Sequence, residues 1–283
     1  MEDVDGDVDM ETLRLFTAAV QPAGGSHWTG HSLLPPPRPG THGGPRRAHR
    51  TAAIHPVGRA VPRRGPGAAA TRRAGGLVVP AHPHASCIGC AWKSGLAEAD
   101  AVEVWNGVWT PDDEVSPASW DGLLCTGDAG RRLPALAHSD YHRDPDRLGG
   151  PQTVVLADDL SRGAIVAGLR SGRACAAESS AVSVEFTAVT PRGAHAGIGE
   201  ALTAAGPAEE VLVRLSVTGA EGCDLRLVTD QGLVLTVSAA TSLAWHTTPA
   251  RTAHVRAEVR HPPQVSPLPG HPAALTSPVW LRS

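Results

Sequence analysis

The chain of 283 residues lacks any apolar run near the ~18 residues a membrane-spanning helix needs. It also lacks a basic-then-apolar start of the kind that targets secretion. These absences predict a cytoplasmic protein with no membrane partner. Its five cysteines are odd in number and irregularly spaced, which excludes a disulfide framework. The formal net charge is −3, so a general nucleic-acid binder is excluded as well. Lys93 is the sole lysine and Tyr141 the sole tyrosine, while Gly and Pro number 31 and 25. That bias is the mark of a GC-rich coding sequence.

What remains is enough apolar material, 41% of residues, for a sizeable core. The chain divides into four stretches. Residues 1–34 open with an acidic lead, Glu2 to Glu11. Met10, Leu13, Phe16 and Val20 then recur at helical spacing, which predicts an amphipathic helix over Glu11 to Val20. Residues 35–73 hold nine arginines, eight prolines and no acidic residue. Prolines interrupt every regular element there, and little apolar surface is available to offset chain entropy. Three readings stand: a basic anion-binding tract, a disordered linker, or codons read outside their evolved frame.

From residue 74 to 180, order returns. The runs Gly76–Ala81, Ala101–Trp105, Leu133–Ala137 and Thr153–Leu156 read as buried strands. Pro117–Cys125 and Ser161–Ser171 read as helices, each closed by a glycine just beyond. Strands alternating with helices imply an α/β fold with a parallel sheet or barrel. Three of the strands end in polar side chains: His82; Asn106, with Glu103 inside its strand; and Asp140 with His142. In parallel α/β folds such C-terminal strand ends converge on the active site. Asp140 and His142 are two apart in a loop, and together they make a mixed oxygen and nitrogen donor set suited to Zn, Mn or Fe. A merely solvated Asp-x-His loop is the alternative. For Glu103 the alternative is an internal salt bridge.

Residues 181–283 switch to strands alone: Ala181–Val189, Val211–Thr218, Asp224–Thr229, Leu233–Ser238 and Thr252–Arg260. Glycine-containing turns separate them, which predicts a small β-sandwich. Cys87 and Cys90 form one Cys-x2-Cys pair with no second pair to complete a zinc ribbon. His84, His138, His195, His246, His254, His261 and His271 have no spacing partner and read as surface or satisfied histidines. Trp92, Trp105 and Trp120 read as core, and Trp109 as core or as a wall of the site's mouth.

Taken in order, Gly75-Gly76-Leu77-Val78-Val79-Pro80-Ala81-His82-Pro83, Val102-Glu103-Val104-Trp105-Asn106-Gly107 and Ser139-Asp140-Tyr141-His142 resemble motifs of the PHP (polymerase and histidinol phosphatase) superfamily. More narrowly they resemble its CehA/McbA-type metallohydrolases. Leu148–Thr153 and Ala274–Leu281 continue the resemblance, which runs from about Gly75 to the C-terminus. It implies a distorted (β/α)7 barrel, here partial, followed by the β-sandwich-like domain. It implies a divalent metal cluster that activates water against a phosphoester, or a carbamate or ester, of a small-molecule substrate. His82, Asp140 and His142 would be metal ligands, with Asp140 and His142 central to catalysis. Glu103 and Asn106 would orient ligands or substrate. Ser26-His27-Trp28-Thr29-Gly30-His31 resembles the segment that follows the family's first metal motifs, which makes His31 a further ligand candidate. The early His-x-His and Asp-His motifs of the family are missing, so the resemblance implies a truncated or frame-damaged member with impaired activity. The alternative function is a non-catalytic remnant whose β-sandwich acts as an interaction module.

Overall fold

Residues 31–32, 66–73, 75–85, 92, 95–96, 99–126, 132–141, 147–263 and 269–283 are described by a computed structural model. The helix expected over Glu11 to Val20, the Cys87/Cys90 pair and His142 lie outside them. Within the arginine-rich tract the last eight residues are helical: α1 spans Pro66–Arg73. Proline stands at its first position, where no N–H is needed, and three alanines follow. Thr71 is buried and Arg72 pairs with Asp100 at 3.0 Å, so this end of the tract is built into the fold.

Strand β1 (His31–Ser32) pairs antiparallel with β2 (Val78–Val79). β3 (Val102–Asn106) pairs parallel with β4 (Ala135–His138). Between them the chain makes a 3-10 turn, Pro111–Glu114, and helix α2, Val115–Thr126. That is one β-α-β unit of the expected kind. The helix begins two residues before Pro117, so the proline falls inside its first turn, still where an N–H is dispensable. β5 (Gln152–Val155) departs from the expected parallel sheet. It pairs antiparallel with β6 (Ala174–Ala177) after α3, Arg162–Arg170. Thr153 Oγ1 joins β5 to β4 instead of a ladder: it accepts from Ala137 N at 2.9 Å and donates to Ala137 O at 2.8 Å. No closed seven-stranded barrel is present among the described residues. Helix α3 forms as the sequence predicts: Ser161 Oγ accepts from Ala164 N at 3.1 Å, and Gly172 follows at φ 80°.

The C-terminal part is a two-sheet sandwich. β7 (Ser183–Val189), β8 (His195–Gly197), β10 (Val211–Thr218) and β13 (Ser242–Thr247) form a four-stranded sheet ordered β13-β10-β7-β8. The second sheet runs β12-β11-β14-β15-β6-β5, with β16 on β14 and β9 parallel to β16. Here β9 is Ala201–Thr203, β11 Asp224–Thr229, β12 Gly232–Val237, β14 His254–Arg260, β15 Pro272–Thr276 and β16 Val279–Arg282. Because β5 and β6 belong to it, the sheet runs across residue 180, where the sequence suggests a boundary. Val213, Leu215, Leu225, Leu227, Val255 and Val259 fill the space between the sheets.

Strand β14 is buried at all seven positions. Its alternation explains how. Val255, Ala257 and Val259 face the sandwich core. His254, Arg256, Glu258 and Arg260 occupy the opposite face, which α2 and the 3-10 turn cover. Arg256 makes two 2.6 Å hydrogen bonds to Asp121 of α2 and stacks over Trp120. Arg260 bonds Glu114 and stacks over Trp109. Glu258 accepts from both arginines at 2.8 Å. A ladder of buried, paired charges thus fastens the β-α-β unit to the sheet.

Candidate active site

The ends of β2, β3 and β4 do meet, and Glu103 is the residue that ties them. Its side chain is fully removed from solvent. Oε1 lies 2.5 Å from His138 Nδ1 and accepts from Asn106 Nδ2 at 3.2 Å; Oε2 accepts from His82 N. One carboxylate therefore fixes a residue at the end of each strand. The internal salt bridge and the orienting role describe the same contact set. In the parallel register Glu103 lies opposite Leu136, so His138, two residues on, shares its face. The register that reveals His138 is a property of the fold; composition and spacing leave it as an ordinary histidine.

His82 and Asp140 both have left-handed backbones, with φ of 30° and 50°. Non-glycine residues reach that region at a cost and persist there where the surroundings enforce it, most often at functional sites. Gly107, at φ 62°, brings the turn after β3 close to the β4 end: its N donates to His138 O at 2.8 Å, and a Cβ there would sit 3.6 Å from Asp140 Cβ.

His82 and His84 line a pocket of about 170 Å3 together with Glu103, Asn106, Trp105 and Asp113. His82 Nδ1 and His84 Nε2 are shielded from solvent and have no hydrogen-bond partner among the described residues. Burial lowers the His84 imidazole below its ordinary pKa and so favours the neutral form. His84, read from the sequence as a surface or satisfied histidine, belongs to this pocket. Trp109 packs edge-on against Trp105, centroids 5.6 Å apart. It is thus held between core and Arg260 and braces the wall from behind.

The expected ligands are distributed as follows. His82 lines the pocket, and Asp140 lies beside Gly107 at the same sheet end. His142 lies outside the described residues. His31 is placed by its backbone opposite Val79, three residues before His82. Among the described residues, the three donors that gather within 4.8 Å of one another are Glu178, His261 and His271, at a different place in the fold.

No family model matches the chain, and no curated protein matches it. Among solved structures the chain is similar to a two-domain protein from Bacteroides vulgatus described as containing a predicted PHP-like metal-dependent phosphoesterase. The two are 14% identical with a TM-score of 0.32, and the match covers 74% of this chain and 64% of that one. The chain thus spans less than two thirds of that protein's length.

Proposed function

We propose that the chain is a metal-dependent hydrolase of the PHP type, acting on a phosphoester, or on a carbamate or ester as the CehA/McbA-like motifs suggest. The observation that carries the reading is a pocket lined by His82 and His84 with unpartnered imidazole nitrogens, with left-handed, non-glycine backbones at His82 and at Asp140, the latter beside Gly107 at the end of β4. A buried ring nitrogen without a partner is costly unless an ion or water completes it. His82, His84 and Asp140 therefore fit a divalent ion in chemical type, and His142 would join them in sequence order. Zn, Mn or Fe suits such nitrogen and carboxylate donors.

A bound divalent ion would supply Lewis acidity and a more acidic water. The chain's own residues do the rest. Glu103 holds His138 by Nδ1 and the His82 backbone by its N–H, which keeps the ligand-bearing loops in register. Asn106 shares the same carboxylate and points its remaining amide capacity toward the pocket for a substrate oxygen. Val108, 89% exposed at the rim, offers apolar contact to a leaving group.

The test is hydrolysis of bis(p-nitrophenyl) phosphate and p-nitrophenyl acetate by the full chain with added Zn2+, Mn2+ or Fe2+. Metal-dependent turnover that falls in His82→Ala and Asp140→Asn is expected. Equal turnover in both variants would overturn the reading. A second reading, an interaction module, is favoured by the edge strand β12, where Leu233 and Val234 are 56% and 38% exposed. It gains ground if no metal stimulates turnover.

A further inference from the structure

His261, His271 and Glu178 come from three neighbouring strands of one sheet. His261 follows β14, His271 precedes β15 and Glu178 follows β6. The antiparallel order β14-β15-β6 puts all three at the same end of these strands. The backbone locks them there: His261 N donates to His271 O at 3.0 Å, and Glu178 N donates to Ala273 O at 2.9 Å. The rings of His261 and His271 stack at 4.2 Å between centroids, and His261 Nε2 lies 2.8 Å from Glu178 Oε2. All three donors lie within 4.8 Å of one another. Gly270 allows the approach, since a Cβ there would fall 1.7 Å from His261 O.

We propose that these three side chains form a divalent transition-metal site, separate from the pocket at the β2, β3 and β4 ends, which clips the β14, β15 and β6 ends together. Two imidazoles and one carboxylate are a borderline donor set that takes Zn2+, Co2+ or Ni2+ rather than Mg2+ or Ca2+. Three protein ligands leave further positions to water. The side chains of His261 and Glu178 are 30% and 27% exposed, so water reaches them.

Two other observations point the same way. Arg260, the residue before His261, is already neutralised by Glu258 and Glu114, so it does not oppose a cation. Cys223 Sγ lies 3.5 Å from His261 Nδ1, on the far side of the ring from Glu178. With Cys223 on the Nδ1 side of the ring, Nε2 is the nitrogen that faces Glu178 and would face an ion. The alternative, a Cys–His–Glu nucleophile, fails on the thiol. Cys223 is buried, and burial together with Glu178, Asp224 and Glu221 pushes its pKa up, which is the reverse of what a reactive cysteine needs.

Zinc binding to the full chain, titrated in competition with a chromophoric chelator, tests the site. Wild type should take up one equivalent more than His271→Ala or Glu178→Gln, while His82→Ala keeps that equivalent. Imidazole resonances of His261 and His271 should move on adding Zn2+, a readout independent of the variants' folding. Unchanged stoichiometry in both His271→Ala and Glu178→Gln, or unmoved His261 and His271 resonances, would overturn the proposal.

Discussion

Glu103 and His138 sit on adjacent parallel strands with Oε1 and Nδ1 2.5 Å apart, and the glutamate side chain is wholly out of solvent. Removing the carboxylate from a buried hydrogen-bonded cluster costs more than its bonds contribute, because the groups it served are left without a partner.

Glu103→Ala should therefore destabilise the protein by about 3–5 kcal/mol. Glu103→Gln keeps one acceptor oxygen, for His82 N or for Asn106 but not both, and should cost less. Urea unfolding of both variants decides it. A loss below about 1 kcal/mol in Glu103→Ala would mean that the contact is incidental.

The Arg256–Glu258–Arg260 ladder should make stability depend on acid. Burial works to raise the Glu258 carboxyl, but Arg256 and Arg260 overcome it and hold the pKa at about 2, from an ordinary 4.5. A carboxyl whose folded pKa is lowered stabilises the fold above its unfolded value and loses that contribution as pH falls through the folded one. The contribution is complete above about pH 4.5 and gone near pH 2. Its size is on the order of 3 kcal/mol at about 1.4 kcal/mol per unit. Unfolding midpoints across this range should fall steeply in wild type. Glu258→Gln should be less stable at pH 7 and flatter in acid. An equally steep profile in that variant would rule out Glu258 as the source.

Gly168 lies inside α3, where alanine would ordinarily stabilise by up to about 1 kcal/mol. Here a Cβ would meet Leu156 O at 2.6 Å and Val155 Cγ1 at 2.8 Å. The backbone of the segment after β5 cannot yield as a flexible side chain would. Gly168→Ala should therefore lose about 1–3 kcal/mol, the cost of overpacking. A raised thermal midpoint would show that α3 shifts freely on the sheet.

How much of this was legible depends on what each pattern reports. Val211–Thr218 alternates strictly and is a half-buried strand with the expected bounds, because one face meets the core and the other meets water. His254–Arg260 alternates too, but both of its faces are covered. Alternation gives the strand and cannot say what lies over the polar face; only α2 and the 3-10 turn, brought from more than a hundred residues away, reveal it. β5 misled for a similar reason. A short apolar run after a parallel pair looks like the next parallel strand, and nothing local marks that β6 pairs with it in reverse. At the site, the ends of β2, β3 and β4 were readable as convergent because each apolar run stops at polar residues. His138 and His84 were not, since their role comes from Glu103 and from the pocket's shape. His261 and His271 escaped because donors from three strand ends have no sequence spacing.

The last prediction concerns how strongly the candidate active site holds metal. Asp140 is held at φ 50°, in a region that asparagine tolerates and alanine resists. Asp140→Asn therefore removes the charge with little backbone penalty, and it separates ligand loss from unfolding where Asp140→Ala does not. Glu103 is engaged by His138, Asn106 and the His82 backbone, which makes it an orienting group before it is a ligand. The donors left are His82, His84 and Asp140, with His142 by resemblance. These suffice for one ion with water completing its shell, but not for a cluster, because each ion needs about three protein ligands of its own. Measured in a His271→Ala background, which silences the site at the β14, β15 and β6 ends, the protein should retain one weakly held divalent ion or none after dialysis. Asp140→Asn should remove it. Two or more tightly held ions would show that further donors, His31 among them, complete the centre.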